Sequence, residues 1–407
     1  MLQRAVKTLR FARFSLLEGV SWYRRHGRLP RTAEVSDLLR KALFRFKILS
    51  QRTSPAPKTI EPILPPYEAW LRVNTWNQRR QDELLDRLSL HTGRLPRLSL
   101  IMPVHNPPLE CLTRAIESVR AQACGEWELC IADDCSTNPA LRAELERWRA
   151  ADPRIQVTYL QRNVNISEAT NSAVALASGE FLLFLDHDDE LTPDAVGEVI
   201  WYLAEHPGVD ALYSDDDKID LSGRRYAPQF KPDWSPELLL SYMYLSHVFV
   251  VRRALFHAVG AMRTGFEGAQ DYDLALRVAA RTSAVGHIPK VLYHWRALPG
   301  STATSGAAKP ASLEAGRRAV AEAFERRGIV ARVTQPEFAS AGHLGIYAHE
   351  FPDDGPSVTI LIPTKNQASI LRQCVESLRK TTYRNYEVVI IDNESDDPAT
   401  LAYLASL

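Results

Sequence analysis

In the first half of the chain, apolar runs alternate with amphipathic stretches. Residues 98–104, 127–132 and 181–185 are nearly continuous apolar runs, which are typical of strands buried on both faces of a sheet. Residues 109–122 and 167–177 instead space their apolar side chains as helices do. Strands that alternate with helices predict a mainly parallel α/β sheet flanked by helices. Ligands bind such sheets beyond the carboxyl ends of the strands, so the residues that follow each strand are the first candidates for a site.

The sequence also repeats itself. Residues 98–106 return as residues 358–366, and residues 127–136 return as residues 386–395, with the same order of residue types. A match of this kind over about forty positions indicates a tandem domain. The second copy reaches Leu407 after two predicted strands, so we expect it to contribute no catalysis in this chain.

These patterns divide the chain into four segments. We predict a basic helical N-terminal region over residues 1–95, a main α/β domain over residues 96–335, a linker over residues 336–356 and the incomplete start of a second domain over residues 357–407. The division rests on the position of the repeat and on the change from helical to strand-like patterns near residue 97.

Charge is distributed unevenly along the chain. Lys and Arg balance Asp and Glu at 49 each, which argues against a dedicated nucleic-acid-binding protein. Residues 1–50, however, hold twelve basic residues and three acidic ones. This excess predicts either a solvated helix packed on the domain or a helix lying on an anionic membrane surface.

Cysteine and apolar patterns bear on location. The five cysteines form no CxxC pair, which favours reduced thiols in a cytoplasmic protein. No apolar run approaches the roughly 18–20 residues that a membrane helix needs. We therefore expect any contact with the cytoplasmic face of an inner membrane to be peripheral and to involve residues 1–50.

Acidic residues follow two of the predicted strands and open a later helix. Asp133 and Asp134 end the second apolar run, residues 186–189 (Asp-His-Asp-Asp) end the third, and Asp271 and Asp273 begin an amphipathic stretch. Carboxylates gathered at one sheet edge repel each other unless a cation lies among them. A divalent metal there would neutralise charge on a departing diphosphate. The pattern therefore suggests a metal–nucleotide site with one carboxylate left for acid–base chemistry.

Four motifs in order make the chain resemble the family 2 glycosyltransferases, which have the GT-A fold. They are Pro103-Val104-His105-Asn106, Asp133-Asp134-x-Ser136, Leu185-Asp186-His187-Asp188-Asp189 and Glu267-Gly268-Ala269-Gln270-Asp271. The resemblance covers about residues 97–300, and residues 357–407 resemble the start of a second such domain. Residues 67–71 and 230–236 are similar to segments of tandem enzymes of the O-antigen and rhamnan type within this family.

The resemblance implies an inverting transferase that moves a sugar from a nucleotide diphosphate to a glycan or lipid-linked glycan acceptor during cell-surface polysaccharide synthesis of the O-antigen or capsule type. It implies that Asp271 is the catalytic general base and that Asp188 and His294 hold Mn²⁺ or Mg²⁺. The residues implied in binding the nucleotide sugar are Pro103, Val104, His105, Asn106, Asp133, Asp134, Asn163 and Asp186.

The chain departs from the family pattern at three positions near these motifs. Gln270 stands where a Glu is frequent, His105 replaces the usual aromatic residue, and Asn165 stands where a Gly is common. Gln keeps the hydrogen bonding of Glu, an imidazole can still stack on a base edge, and Asn tolerates the left-handed backbone conformation better than any other residue except Gly. None of these changes excludes activity.

Other polar residues have plainer interpretations. We predict that Asp215-Asp216-Asp217 forms a solvated or acceptor-side loop. Asp273 is also explained as a helix N-terminal acid, and the isolated histidines are expected to be structural or exposed. These are His206, His247 and His257.

Two other classes of protein remain open. A non-catalytic homologue that binds a sugar nucleotide or acts as a scaffold fits the short second copy and Gln270. A nucleotidyltransferase shares the sheet and the metal chemistry, but it needs a Gly-rich basic loop after the first strand, where residues 105–108 are His-Asn-Pro-Pro. A dinucleotide dehydrogenase is disfavoured because no GxGxxG opens the first helix.

Overall fold

The structure is a computed structural model that describes residues 66–298 and 310–407. Its strands are β1 (Leu98–Val104), β2 (Trp127–Asp133), β3 (Ile155–Tyr159), β4 (Phe181–Phe184), β5 (Glu190–Leu191), β6 (Ala211–Ile219), β7 (Arg225–Gln229), β8 (Phe249–Arg252), β9 (Val285–Arg296), β10 (Arg332–Thr334), β11 (Ala348–Glu350), β12 (Val358–Thr364) and β13 (Tyr386–Asp392).

The helices of the same residues lie between these strands. They are α1 (Pro66–Asn74), α2 (Gln78–Ser89), α3 (Leu109–Arg120), α4 (Pro139–Ala151), α5 (Asn165–Val174), α6 (Ala195–Glu205), α7 (Pro236–Ser241), α8 (Arg253–Ala258), α9 (Gln270–Ala279), α10 (Pro310–Arg326), α11 (Glu337–Ala341), α12 (Ala368–Leu378) and α13 (Pro398–Leu404). Within the described residues, no helix combines the length and the apolar character that a membrane span requires.

A nine-stranded sheet is the largest sheet in the described part of the chain. Its strand order is β3-β2-β1-β4-β8-β6-β9-β5, and β7 pairs with β6 outside this path. Strands β1 to β4 run parallel, β8 is antiparallel to β4 and β6, and β9 is parallel to β6. Because two reversals restore the direction, β6 and β9 end at the same edge as β1 to β4. This edge is where a ligand is expected.

The predicted strands β1, β2 and β4 are confirmed, but the sequence analysis missed β3. Four of the five residues of β3 are only partly buried, because the strand lies at the edge of the sheet. Its polar residues Gln156 and Thr158 interrupt the apolar pattern. An edge strand of this kind lacks the continuous apolar run that identified its neighbours.

Two hydrophobic cores cover the two faces of the sheet. In β1, Leu100 and Met102 point into the first core, and Ile101 points into the second. The alternation of side chains along a strand explains why both positions are apolar. Helices α2, α3, α4 and α6 cover the first core, whereas α5 and α7 to α10 cover the second.

The segment predicted as a linker is folded. Within residues 336–356, α11 buries Ala339 and β11 pairs with β10. Tyr347 is buried in the second core. Of the predicted N-terminal region, α1 and α2 are described, whereas residues 1–65 lie outside the described residues.

The repeat is visible in the backbone. The register of β12 with β13 runs from Val358↔Tyr386 to Thr364↔Asp392 and reproduces the parallel pairing of β1 with β2. The backbone N–H of Asn366 donates to Oγ of Ser395 at 2.8 Å, as that of Asn106 donates to Oγ of Ser136 at 3.0 Å. The second copy therefore forms the first two strands of the same fold.

Helix α2 belongs to the domain core through Leu84. This side chain is fully buried and packs on α6 at Gly197, where an added Cβ would lie 2.7 Å from Cδ2 of Leu84. We expect Leu84→Ala to lower the free energy of unfolding by about 2–5 kcal/mol because a large core side chain leaves a cavity. Denaturant unfolding measures the change.

The neighbouring Leu85 provides a matched control, since its side chain is 37% exposed. Leu85→Ala is expected to stay within about 0.5 kcal/mol of the unmodified chain. Equal effects of the two substitutions would contradict the packing of α2 on this core.

Candidate active site

The ends of β1 and β2 form a polar cradle with the start of α5. Nδ1 of His105 lies 2.8 Å from the backbone oxygen of Asp134, and Nδ2 of Asn163 lies 3.1 Å from the same imidazole nitrogen. The backbone N–H of Val164 donates to Oδ1 of Asp134 at 2.7 Å. The structure thus brings together three of the residues predicted to bind the nucleotide sugar, from three separate loops.

Asn106 and Asp133 complete this cradle. Oδ1 of Asn106 accepts a hydrogen bond from the backbone N–H of Thr137 at 2.8 Å. Oδ1 of Asp133 accepts one from Ser136 at 3.3 Å. Pro103 and Val104 are the last two residues of β1, directly before His105. These contacts rigidify the loops, while His105 and Asn106 remain exposed enough to meet a ligand.

Left-handed backbone at the start of α5 fits the residue found there. Asn165 has a φ of 68°, a conformation that Asn tolerates and most residues avoid. Asn therefore serves here where the family pattern often has Gly.

The five residues between β4 and β5, residues 185–189, turn the chain across the carboxyl edge of the sheet. The backbone N–H of Asp186 donates to the hydroxyl of Tyr293 at 3.2 Å, and that hydroxyl donates to Oδ2 of Asp189 at 2.6 Å. Oδ1 of Asp189 accepts from the backbone N–H of Arg296 at 2.7 Å, and Nε of Arg296 donates to the backbone oxygen of Asp188. Asp189 is therefore an anchor that fixes the turn to β9.

Three potential metal ligands converge beside this turn. Asp186, Asp189 and His247 each offer a ligand atom, and these atoms all lie within 4.8 Å of one another. Nε2 of His247 lies 3.9 Å from Oδ2 of Asp186. Its ring stacks on Tyr293 with a centroid distance of 4.4 Å. His247 was expected to be structural or exposed, and its place in this cluster carried no signal in the sequence.

The donor set fits a divalent cation. Carboxylate oxygens suit both Mn²⁺ and Mg²⁺, whereas an imidazole ligand favours a transition-metal ion such as Mn²⁺. Burial is the main cause that raises the pKa of Asp188, and the neighbouring carboxylate of Asp186 raises it further. Acids that oppose each other's ionisation in this way gain from a cation placed between them.

The predicted metal ligand His294 contacts Asp217 and does not belong to the cluster of Asp186, Asp189 and His247. Its Nδ1 is 2.5 Å from Oδ1 of Asp217, on the adjacent strand β6. Nε of Arg225 donates to the other oxygen of Asp217 at 2.7 Å. The structure thus places His294 in a partly buried His–Asp–Arg group around the fully buried Asp217, and its role as a metal ligand stays a prediction.

The prediction of a solvated loop at residues 215–217 is wrong. Asp215, Asp216 and Asp217 lie in β6, and their side chains are almost fully buried. Their charges are compensated by residues of later segments: His287 lies 3.0 Å from Asp215, Lys231 lies 2.6 Å from Asp216, and Arg225 binds Asp217. A run of three acids predicts a solvent-exposed loop only where the fold supplies no positively charged partners for them.

The first turn of α9 carries two carboxylates in different environments. Asp273 is fully buried and accepts hydrogen bonds from Nε of Arg263 at 3.1 Å and Nε of Arg277 at 2.9 Å. Asp271 is partly buried, and its described hydrogen bond comes from the backbone N–H of Tyr272 at 2.8 Å. Two arginines satisfy Asp273, whereas the described hydrogen bond to Asp271 comes from the backbone alone, and the role of Asp271 as general base stays a prediction.

Asp271 interacts electrostatically with two members of the cluster of Asp186, Asp189 and His247. Burial is the main cause that raises its pKa, and the carboxylate of Asp186 raises it further, whereas the charge of His247 lowers it. A carboxylate with a raised pKa is a better proton acceptor once it is ionised. Gln270, one residue before it, accepts a hydrogen bond from the backbone N–H of Gly268 at 2.7 Å and so shapes the turn into α9.

Comparison with known proteins places the chain in a family. The family model described as glycosyl transferase family 2 matches residues 99–266 and 359–407. The chain belongs to this family. This membership, with the α/β sheet flanked by helices, confirms the predicted GT-A fold class and the resemblance found in the sequence.

Two curated relatives and one solved structure illustrate the similarity. The uncharacterized protein y4gI of Sinorhizobium fredii is 43% identical over 351 residues, which are 84% of this chain and 38% of that protein. The O-antigen biosynthesis protein RfbC of Myxococcus xanthus is 37% identical over 360 residues, which are 88% of this chain and 27% of that protein. The chain thus spans between a quarter and two fifths of these relatives' lengths. The structure of S. aureus TarS in complex with UDP-GlcNAc is 22% identical, covers 56% of this chain and 66% of that chain, and has a TM-score of 0.46.

The contrast between the two carboxylates of α9 is testable without an activity assay. We expect Asp273→Asn to cost about 3–5 kcal/mol of unfolding free energy, because it leaves the buried charge of Arg277 without its carboxylate, whereas Arg263 keeps Glu322. Asp271→Asn is the matched control and is expected to be neutral or stabilising, since the raised pKa of Asp271 means that burial disfavours its ionised form. Urea denaturation at pH 7 measures both changes, and a larger loss from Asp271→Asn would reverse the two roles.

Proposed function

We propose that the protein is a metal-dependent inverting glycosyltransferase that moves a sugar from a nucleotide diphosphate to a glycan or lipid-linked glycan acceptor. One observation carries the proposal. The polar cradle after β1 and β2, the ligand cluster after β4 and the carboxylate of Asp271 all lie at the carboxyl edge of the sheet. This combination supplies a place for a nucleotide, a place for a diphosphate-bound cation and a base.

The proposed reaction is one displacement. The carboxylate of Asp271 accepts the proton of the acceptor hydroxyl as its oxygen attacks the anomeric carbon. The bond from that carbon to the diphosphate oxygen breaks, and the nucleoside diphosphate leaves with the electron pair. Attack opposite to the leaving group inverts the configuration. Proton removal by a positioned base contributes roughly 10²–10⁴-fold to such a rate.

The residues of the ligand cluster hold the cation in this proposal. Asp186 and His247 are the principal candidates together with Asp188, the residue that the family motif assigns to the metal. Asp189 is already engaged through both oxygens by Tyr293 and Arg296, so we assign it to holding the turn. A bound Mn²⁺ or Mg²⁺ supplies positive charge that offsets the charge developing on the leaving diphosphate.

The biological setting of the proposal follows the relatives. RfbC of Myxococcus xanthus is named as an O-antigen biosynthesis protein, which supports a role in cell-surface polysaccharide synthesis. We further propose that residues 1–50 contact the cytoplasmic face of the inner membrane, as their basic excess suggests, and that residues 357–407 take no part in the catalysis of the main domain.

A donor panel tests the function directly. The full chain is incubated with UDP-, dTDP- and GDP-sugars and Mn²⁺, with and without lipid-linked glycan acceptors, and the released nucleoside diphosphate is measured. Acceptor-dependent release from one donor class supports the proposal. Binding of a donor without release from any donor and acceptor pair would favour the non-catalytic homologue.

We expect Asp271→Asn to lower kcat by roughly 10²–10⁴-fold while donor affinity stays near normal, because the base acts on the acceptor. Because burial raises the pKa of Asp271, the base becomes protonated, and kcat falls, at a higher pH than for an ordinary Asp carboxyl. A kcat–pH profile and donor titration measure both effects. An unchanged kcat in Asp271→Asn would exclude this residue as the base.

Metal dependence is tested at Asp188. We expect excess chelator to abolish turnover and Mn²⁺ to restore it. Asp188→Asn keeps the side-chain volume but removes one anionic ligand, so the half-saturating Mn²⁺ concentration is expected to rise roughly 10-fold or more, equivalent to about 1.4 kcal/mol. Glu83→Gln, in α2, serves as the control, since its side chain is 56% exposed and pairs with Arg79 on the same helix. Full turnover in chelator would contradict the metal assignment.

A further inference from the structure

Lys231 is a buried cation outside the groups that the proposed reaction uses. It follows β7, and its side chain is 3% exposed. Its Nζ donates to the backbone oxygens of Ser214, Leu245 and His247, each at 2.6 Å. It also lies 2.6 Å from Oδ2 of Asp216.

These contacts use the full hydrogen-bonding capacity of the ammonium group. A lysine has three N–H donors, and three carbonyls take them. Asp216 is paired with Lys231 by charge through Oδ2, whereas its Oδ1 has no hydrogen-bond donor among the described residues. Burying a lysine is costly unless it is paired and hydrogen-bonded, and this site meets both conditions.

The three carbonyls belong to two stretches of chain that meet at the cation cluster. Ser214 lies in β6, whereas Leu245 and His247 lie in the segment that precedes β8. The same residue His247 thus has its backbone oxygen on Lys231 and its imidazole 3.9 Å from Oδ2 of Asp186. A shift of that backbone would move the imidazole away from Asp186.

We infer that Lys231 is a positioning residue that fixes His247, and through it the cation site, by clamping the segment before β8 to β6. The inference rests on the proposed function in that it takes the cluster of Asp186 and His247 to bind the catalytic cation. It also gives a role to a residue of the segment 230–236, which is similar to a segment of tandem enzymes of the O-antigen and rhamnan type.

The hydrogen bonds around Lys231 support a role in positioning the segment before β8 rather than a role in packing alone. The backbone N–H of Lys231 donates to Oδ1 of Asp215 at 2.9 Å, and the hydroxyl of Tyr213 donates to the backbone oxygen of Pro232 at 2.6 Å. The strand β6 therefore holds the Lys231 backbone from one side, while the ammonium holds the His247 segment on the other. Residues that orient metal ligands in this way are typically worth 10–100-fold in metal affinity.

The test measures Mn²⁺ binding by isothermal titration calorimetry on the full chain, at a temperature where thermal melting shows each variant folded. Lys231→Met keeps much of the side-chain length but removes the charge and all three donors. We expect its Mn²⁺ dissociation constant to rise roughly 10–100-fold. Lys290→Met is the control, since Lys290 is 46% exposed and pairs with Glu198, and it is expected to bind Mn²⁺ as the unmodified chain does.

A double-mutant cycle separates positioning from a structural effect. If Lys231 acts through His247, then adding Lys231→Met to His247→Ala weakens Mn²⁺ binding little further. Additive losses, or unchanged Mn²⁺ affinity in folded Lys231→Met, would overturn the inference. If Lys231→Met does not fold, Lys231→Met with Asp216→Asn removes the lone buried carboxylate as well. This double variant is expected to fold and to bind Mn²⁺ weakly, and affinity equal to that of the unmodified chain would again overturn the inference.

The outcomes distinguish this inference from the proposed function. Mn²⁺ binding that depends on Lys231, without nucleotide release from any donor, would refute the transferase and leave the clamp standing. Donor turnover together with Mn²⁺ affinity that ignores Lys231 would refute the clamp alone. An unmodified chain that binds no Mn²⁺ would refute the clamp, and turnover in chelator would then decide whether transfer survives without the metal.

Discussion

The need to compensate buried carboxylates governs the carboxyl edge of this sheet. Removing an anion from water is costly unless hydrogen bonds or an opposite charge replace the solvent. Asp189, Asp217 and Asp273 are each satisfied by protein groups, among them Tyr293 and the arginines of β7 and α9. These acids hold the edge together. Among the described residues no pair of arginines binds Asp271, and burial raises its pKa, which is consistent with its proposed role as a base.

Strand direction explains why these groups meet. Because β6 and β9 regain the direction of β1 to β4 after the antiparallel β8, residues at the ends of all these strands share one edge. Tyr293, near the end of β9, links the turn after β4 to His247 by one hydroxyl and one stacked ring. The polar cradle and the cluster of Asp186, Asp189 and His247 are therefore two parts of one surface.

Much of this arrangement was predictable from the sequence where the signal is local. Continuous apolar runs predicted β1, β2 and β4, and the polar residues that follow them were recognised as candidates. The half-buried edge strand β3 gave no such run. His247 and the buried acids of β6 could not be assigned, because their partners, such as Lys231 and Tyr293, are distant in sequence and become neighbours only in the folded chain.

In the repeat, too, the strands follow from the local sequence, whereas their burial depends on tertiary contacts. The segments 358–364 and 386–392 form the paired strands that their sequence predicts. Burial does not follow from pairing, however. Leu100 in β1 is fully buried, whereas Leu361 in β12 is 61% exposed, because β12 and β13 form a two-stranded sheet of their own within the described residues.

The central claim is that the edge beside Asp271 holds a divalent cation for a diphosphate leaving group. The most direct measurement is an anomalous difference map from crystals of the full chain grown with Mn²⁺ and a nucleoside diphosphate. The account predicts a manganese peak at bonding distance from Asp186 or Asp188 and from Nε2 of His247, with the diphosphate on its open side. A peak away from Asp186, Asp188 and His247, or a bound diphosphate with no manganese beside it, would contradict the account.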